Sequence, residues 1–241
     1  VIPLVTEGEP LVRWDWIGRN LGEIGSLLAD HVLMSVVPIL VGLAAALPIG
    51  LACARWRRIY PPVLGVTNAL YALPAIAVFI MLIPFTGIGS RTTVMIPLAL
   101  YTLSVLVPSV VDGLAAVPDH VRQSAVAIGF GPVRRLVRVE LPIAVPVVMA
   151  GLRVATVSNI SLVSVGALIG VGGLGDLFTD GFNRDFPTPI VVGIVLTIAL
   201  ALVADGLLLA LQRLLTPWAR AGARDARASR ARLASPERTA P

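Results

Sequence analysis

The sequence predicts an all-α membrane protein of five membrane-crossing helices, and three observations predict it. Hydrophobic residues make up 56% of the 241-residue chain and charged residues only 14%, with a mean hydropathy of +0.89; a soluble domain carries about 25% charged residues. Five apolar runs, near residues 32–54, 61–84, 93–116, 152–171 and 189–215, each approach the ~20 residues that cross a ~30 Å hydrocarbon core. The connections between them alternate, arginine-rich then arginine-poor, as the positive-inside rule requires.

Composition also excludes several function classes. The 19 basic residues are all arginine, and they lie at segment ends and in the C-terminal tail, so the net charge of +5 does not mark a nucleic-acid binder. Cys53 is the only cysteine and lies in an apolar run, which rules out a disulfide framework or metal cluster within one chain and reads as a buried, inert thiol. No basic stretch, short apolar run and small-residue cleavage site open the sequence, so no signal peptide is expected.

The N-terminal segment, residues 1–31, carries Trp14, Ile17, Leu21, Ile24 and Leu28 at 3,4,3,4 spacing, with Asp15, Arg19 and Glu23 four apart on another face. That spacing predicts an amphipathic helix over 11–28, with Trp14 and Trp16 suited to a membrane interface. The spans then follow as a membrane domain, 32–216. Prolines 38, 48, 74, 97 and 108 fall inside them; neighbouring helices can re-satisfy the freed backbone groups, and a kink is expected around Pro74. Arg55, Arg57 and Arg58 mark the first connection, four arginines mark the third, and six mark the tail. The second connection has only Arg91, the fourth sets Asp176, Asp180 and Asp185 against Arg184, and the N-terminal segment sets five acids against Arg13 and Arg19. Every alternate connection agrees with an outside N-terminus and a cytoplasmic C-terminus. Residues 217–241, rich in Ala, Arg and Ser, read as a basic disordered cytoplasmic tail drawn to anionic lipid.

The longest polar interruption is the third connection, 117–142, with Arg122, Arg134, Arg135 and Arg138. Pro118 and Asp119 suit the start of a short helix over 118–128. Gly129-Phe130-Gly131-Pro132 breaks it, and a second short helix over 133–139 would run to Leu141-Pro142. The result is a compact knob outside the membrane.

This loop resembles the cytoplasmic signature of permease subunits of bacterial ABC importers: Glu-Ala-Ala, three residues, Gly, nine residues, then Ile-x-Leu-Pro. Gln123-Ser124-Ala125 stands for the triplet, Gly129 follows at the right spacing, and Val139-Glu140-Leu141-Pro142 fits the end. Gln and Ser depart from the Glu and Ala of the pattern, and the first position loses a charge. The resemblance implies a type I importer permease core like that of methionine permeases. It also implies that Gln123, Ser124, Ala125, Gly129, Phe130, Leu141 and Pro142 dock a coupling helix on a separate ATP-binding subunit. ATP and Mg would then sit on that subunit, with no cofactor and no ATP hydrolysis in this chain. A second permease subunit and an extracytoplasmic binding protein complete the implied partners. Four glycines in six residues, Gly170, Gly172, Gly173 and Gly175, predict a tight, non-helical exit from span four on the outer side; without a Gly-Lys-Ser/Thr pattern this is no phosphate cradle. Together with Trp16-Ile17-Gly18-Arg19-Asn20, His31 and Leu47-Pro48-Ile49-Gly50, it makes the chain similar to the osmoprotectant group, importers of glycine betaine, choline, carnitine or proline. Methionine or another amino-acid-like cargo keeps the same mechanism.

Within the spans, Ser158, Ser161 and Ser164 recur at a spacing of three, with Asn159 beside them; helix packing or pathway lining both explain such groups in lipid. Asp205 lies inside span five, where a carboxylate needs a partner, and no partner at depth is evident. Arg153 is expected at the cytoplasmic end of span four. His31 reads as a satisfied interfacial histidine. A secondary transporter would show internal repeats, and an intramembrane enzyme would need clustered titratable groups; neither is present in the sequence.

Overall fold

The structure, a computed structural model, describes residues 11–218. Among these residues it is helical throughout, without strands. After a short α1 (Trp14–Arg19), α2 (Leu21–Arg55) forms span one, and α3 (Tyr60–Ala72) with α4 (Ala75–Thr86) forms a broken span two. Span three is α5 (Thr92–Ala115), followed by the short α6 (Asp119–Ala127). A continuous helical run, Pro132–Ile169, then comprises α7 (Pro132–Arg135), a π-turn (Leu136–Glu140), α8 (Leu141–Val163) and a 3-10 end (Ser164–Ile169). A small turn (Gly173–Gly175) leads into α9 (Asp176–Asn183), and α10 (Pro187–Leu215) is the last span. Four runs are long and apolar enough to cross a membrane, and α3 with α4, taken as one span, makes five.

The bundle is organised around α5, which packs on α2 along one side and on α8 along the other. Met34, Phe79, Leu98 and Val163 fill one end of the core, and Ala46, Leu106, Val107 and Leu152 fill the middle. The α2–α5 approach is close because a Cβ on Gly42 would lie 2.5 Å from Thr102 Cβ, the small-residue contact that lets membrane helices pack without a hydrophobic driving force. Span five lies at the periphery against α8 and α9.

The expected kink is a full break: α3 and α4 meet at 93°. Leu73 is extended (φ −71, ψ 134), as is Pro74 (φ −59, ψ 124), because the residue before a proline is pushed out of the helical region and the proline supplies no N–H. Pro38, Pro48, Pro97 and Pro108 sit inside continuous helices.

Several boundaries differ from the sequence expectation. The amphipathic helix over 11–28 is not a separate element: only Trp14–Arg19 is, and from Leu21 the pattern runs without a break into span one. Asp30, inside this run, forms an ion pair with Arg91 at 2.8 Å. The second short helix of the third connection is likewise the beginning of span four. A π-turn just ahead of Pro142 carries the helix through, widening it where the proline ring would crowd the preceding carbonyl. Span four therefore begins well before residue 152. The helix α9 was not foreseen. Most of the predicted disordered tail, and residues 1–10, lie outside the described residues.

Candidate functional site

The third connection is built from α6 and the turn that ends it. Pro118 is extended (φ −63, ψ 141) and Asp119 opens the first turn, where the helix dipole favours an acid. At the other end Gly129 N–H donates to Val126 O at 2.9 Å and Phe130 N–H to Ala125 O at 3.0 Å. This is the Schellman arrangement, which requires a left-handed residue at the first position beyond the cap. Gly129 supplies it with φ +84. Phe130 is fixed in turn by Arg134, whose guanidinium carbon lies 4.4 Å from the ring centroid.

Of the predicted docking residues, Gln123, Ser124 and Gly129 are exposed, Phe130, Leu141 and Pro142 are half-buried, and Ala125 is buried. Ala125 therefore faces its own chain. Unforeseen apolar residues take the outer position instead: Ile128 is 72% and Val133 73% exposed, with Val126 and Val137 beside them in sequence.

The loop is strapped to the bundle through Arg122. Its guanidinium donates to the Leu114 carbonyl at the end of α5 and to Asp119 at 3.4 Å. Its Nε also lies 3.9 Å from Glu140 Oε1, which Arg135 Nε holds at 2.7 Å. One side chain thus joins α6, a carbonyl at the C-terminus of α5 and the root of α8. Beneath the strap is a cavity of about 830 Å³ bordered by Arg55, Trp56, Tyr60, Asp112, Arg122 and Glu140. Arg122 and Glu140 both stand in the stretch singled out from the sequence, but their pairing spans a turn whose path the sequence leaves open.

The glycine-rich stretch is tightly packed, and its Gly173–Gly175 part is a 3-10 turn. Gly172, Gly173 and Gly175 are buried, and only Gly170 (φ +79) is exposed. His31 organises it from span one. Leu174 N–H donates to His31 Nδ1 at 3.2 Å, so that nitrogen carries no proton, and Nε2–H then donates to Ile160 O at 2.9 Å. His31 is fully buried, a satisfied bracket between the end of α8 and the glycine turn. Asp176 accepts from Gly172 N–H at 3.1 Å; burial pushes its carboxyl above the ordinary range, and Asp30 adds to the rise. Gly173 has φ +52, and a Cβ there would lie 2.9 Å from His31 Cα. Gly173→Ala is expected to cost ~2 kcal/mol through left-handed strain alone, more once His31 is displaced. A thermal melt of purified protein should fall by roughly 4–8 °C; an unchanged melt would refute the packed turn.

The four polar residues of span four do not share one environment. Asn159 is buried and donates to Thr102 Oγ1 at 2.9 Å, so it is a helix-packing residue and not a lining one. Ser161 is exposed, while Ser158 and Ser164 are half-buried.

The partner of Asp205 is Arg153. The pair is bidentate, Nε to Oδ1 at 2.6 Å and Nη2 to Oδ2 at 2.7 Å, and joins α8 to α10. Arg153 is about three turns into α8, which begins at Leu141.

Comparison with known proteins follows from this architecture. A family model for binding-protein-dependent transport system inner membrane components matches residues 46–217. The glycine betaine/carnitine/choline transport system permease protein OpuCD of Bacillus subtilis is 36% identical over 203 residues, 84% of this chain and 88% of that protein. The choline transport system permease protein OpuBB of the same organism is 31% identical, covering 84% and 93%. The osmoprotectant import permease protein OsmW of Salmonella typhimurium is 33% identical, covering 82% and 94%. Among solved structures, an inward-facing MetNI methionine ABC transporter matches with a TM-score of 0.73 at 20% identity, over 85% of this chain and 100% of that one.

Proposed function

This chain belongs to the binding-protein-dependent transport system inner membrane components, is a transmembrane permease subunit of an ATP-driven importer, and, we propose, carries a small osmoprotectant such as glycine betaine, choline, carnitine or proline. The observation that carries the substrate class is the 31–36% identity, along most of the chain, to permeases whose names specify choline, glycine betaine and carnitine. The methionine transporter supports the fold only, at 20% identity.

The mechanism follows from the strap. Five spans are too few to enclose a pathway, so two permease chains pair, this one with a copy or with a sister. The loop 117–142 lies in the cytoplasm, consistent with its four arginines; the N-terminus is outside and the C-terminus inside. There α6, with Gln123, Ser124 and the exposed Val126 and Ile128, seats in an ATP-binding subunit that holds ATP and Mg. Closure of two such subunits pulls α6, and Arg122 passes the movement to the end of α5 and, through Glu140, to α8. An extracytoplasmic binding protein delivers the solute and sets most of the selectivity.

ATP-driven uptake by the complete complex in proteoliposomes tests this. Betaine, choline, carnitine or proline is expected to accumulate only with ATP and binding protein. Uptake of methionine alone would replace the cargo, and ATP-independent uptake driven by a proton gradient would overturn the mechanism.

A further inference from the structure

The break in span two carries a set of groups that the coupling mechanism leaves unused. Tyr71 lies one residue from the end of α3 and is 53% exposed. It is held edge-on by Tyr101, with ring centroids 6.0 Å apart at 82°. Tyr101 is itself buried, and its hydroxyl donates to Leu73 O at 3.3 Å, fastening the pair to the break. Asn68, three residues before Tyr71 and so on the same face of α3, is also exposed. The break falls midway along the segment, 13 residues of α3 before it and 12 of α4 after it. An open phenol and an open amide at that depth are costly toward lipid and are expected to face a wet pathway.

The electrostatics at this point favour a cation of a particular kind. The last carbonyls of a helix lack intrahelical partners and form its negative end, and Pro74 offers them no N–H. Aromatic ring faces attract cations, above all quaternary ammoniums that cannot donate hydrogen bonds. No carboxylate belongs to α3 or α4, so a compact, strongly hydrated ammonium would gain little here. Choline, glycine betaine and carnitine share one group, trimethylammonium, and differ at the other end in hydroxyl and carboxylate. An amide both donates and accepts, so Asn68 serves either end group.

Resting on the osmoprotectant reading, we propose that the Leu73–Pro74 break is a transit site for quaternary ammonium groups, with Tyr71 as its ring face, the end of α3 as its negative pole and Asn68 as the contact for the polar end of the solute. A single ring makes the site weak, which suits a pathway that must release what it binds.

The test uses the assembled complex in two readouts. In saturation-transfer NMR without binding protein, the methyl protons of choline should receive transfer from the wild type and from Tyr71→Phe, and should lose it in Tyr71→Leu. In proteoliposomes, Tyr71→Leu should lower choline and betaine uptake roughly tenfold, the scale of one cation–π contact. Proline uptake and binding-protein-stimulated ATP hydrolysis should be spared, and Tyr71→Phe should stay close to wild type. Equal transfer in Tyr71→Leu, absent transfer in the wild type, or damage by Tyr71→Phe matching that by Tyr71→Leu overturns the site. Failure of the osmoprotectant reading shows separately, as absence of choline, betaine, carnitine and proline uptake by the wild type.

Discussion

Asp205→Asn is expected to give the largest loss of folded protein of any single substitution among the spans. It leaves Arg153 charged and unpaired within span four, where the wild type holds it by two hydrogen bonds of 2.6 and 2.7 Å. Both side chains are about one third exposed within the isolated chain, but that exposure is to a bilayer or a neighbouring helix, and neither solvates a lone guanidinium as water does. Removing one partner of such a pair is far more damaging than removing both. Folded yield, read by fluorescence-detected size exclusion, should drop on the order of tenfold for Asp205→Asn. It should recover in the double variant Arg153→Gln/Asp205→Asn, and in part in the reversed pair Arg153→Asp/Asp205→Arg. A single variant as abundant as wild type, or a double variant no better than the single, would show that the pair does not hold span five to span four.

Gly129→Val is expected to abolish coupled transport while leaving the spans folded. No atom lies within 4 Å of a Cβ built at Gly129, so the substitution meets no steric obstacle within this chain. Its cost is conformational: φ +84 is left-handed, about 1–2 kcal/mol for an ordinary L-residue and worse for a β-branched one. A valine that leaves this region breaks the bonds to Val126 O and Ala125 O and swings Ile128 and Val133 away from their places. ATP-driven uptake should fall at least about tenfold, the effect of a strain near 1.4 kcal/mol on docking. Gly129→Asn, which tolerates the same region, should retain most activity. If asparagine proves as harmful as valine, the glycine is needed for close approach by the ATP-binding subunit and not for the turn.

Much of this was legible in the sequence because it depends on local sums. Hydropathy over twenty residues locates a span whatever its neighbours do, and arginines counted between spans order the connections. The Gly129 turn was legible because the helix before it and the Gly-Phe-Gly-Pro run after it are adjacent in the chain. What was not legible is pairing across the chain, as at Asp30 and Arg153, which carry charge within apolar helices. Each is neutralised by a residue far away in sequence, Arg91 and Asp205. Asn159 is a related case: it stands one residue from Ser158, about 100° around the helix, and only packing decides that it turns to Thr102.

The sequence by itself determined that this chain is a five-span helical membrane protein whose longest connection is rich in arginine. A bilayer leaves the backbone no choice but to satisfy itself within helices, so composition along the chain is enough. The tertiary structure alone decided which groups meet. His31 reaches Ile160 and Leu174 across 129 and 143 residues, Arg153 reaches Asp205 across 52, and Pro74 becomes a 93° break rather than a mild bend. Those outcomes depend on the rotation and register of helices against one another, set by interdigitating side chains from distant parts of the chain, and no local pattern encodes them.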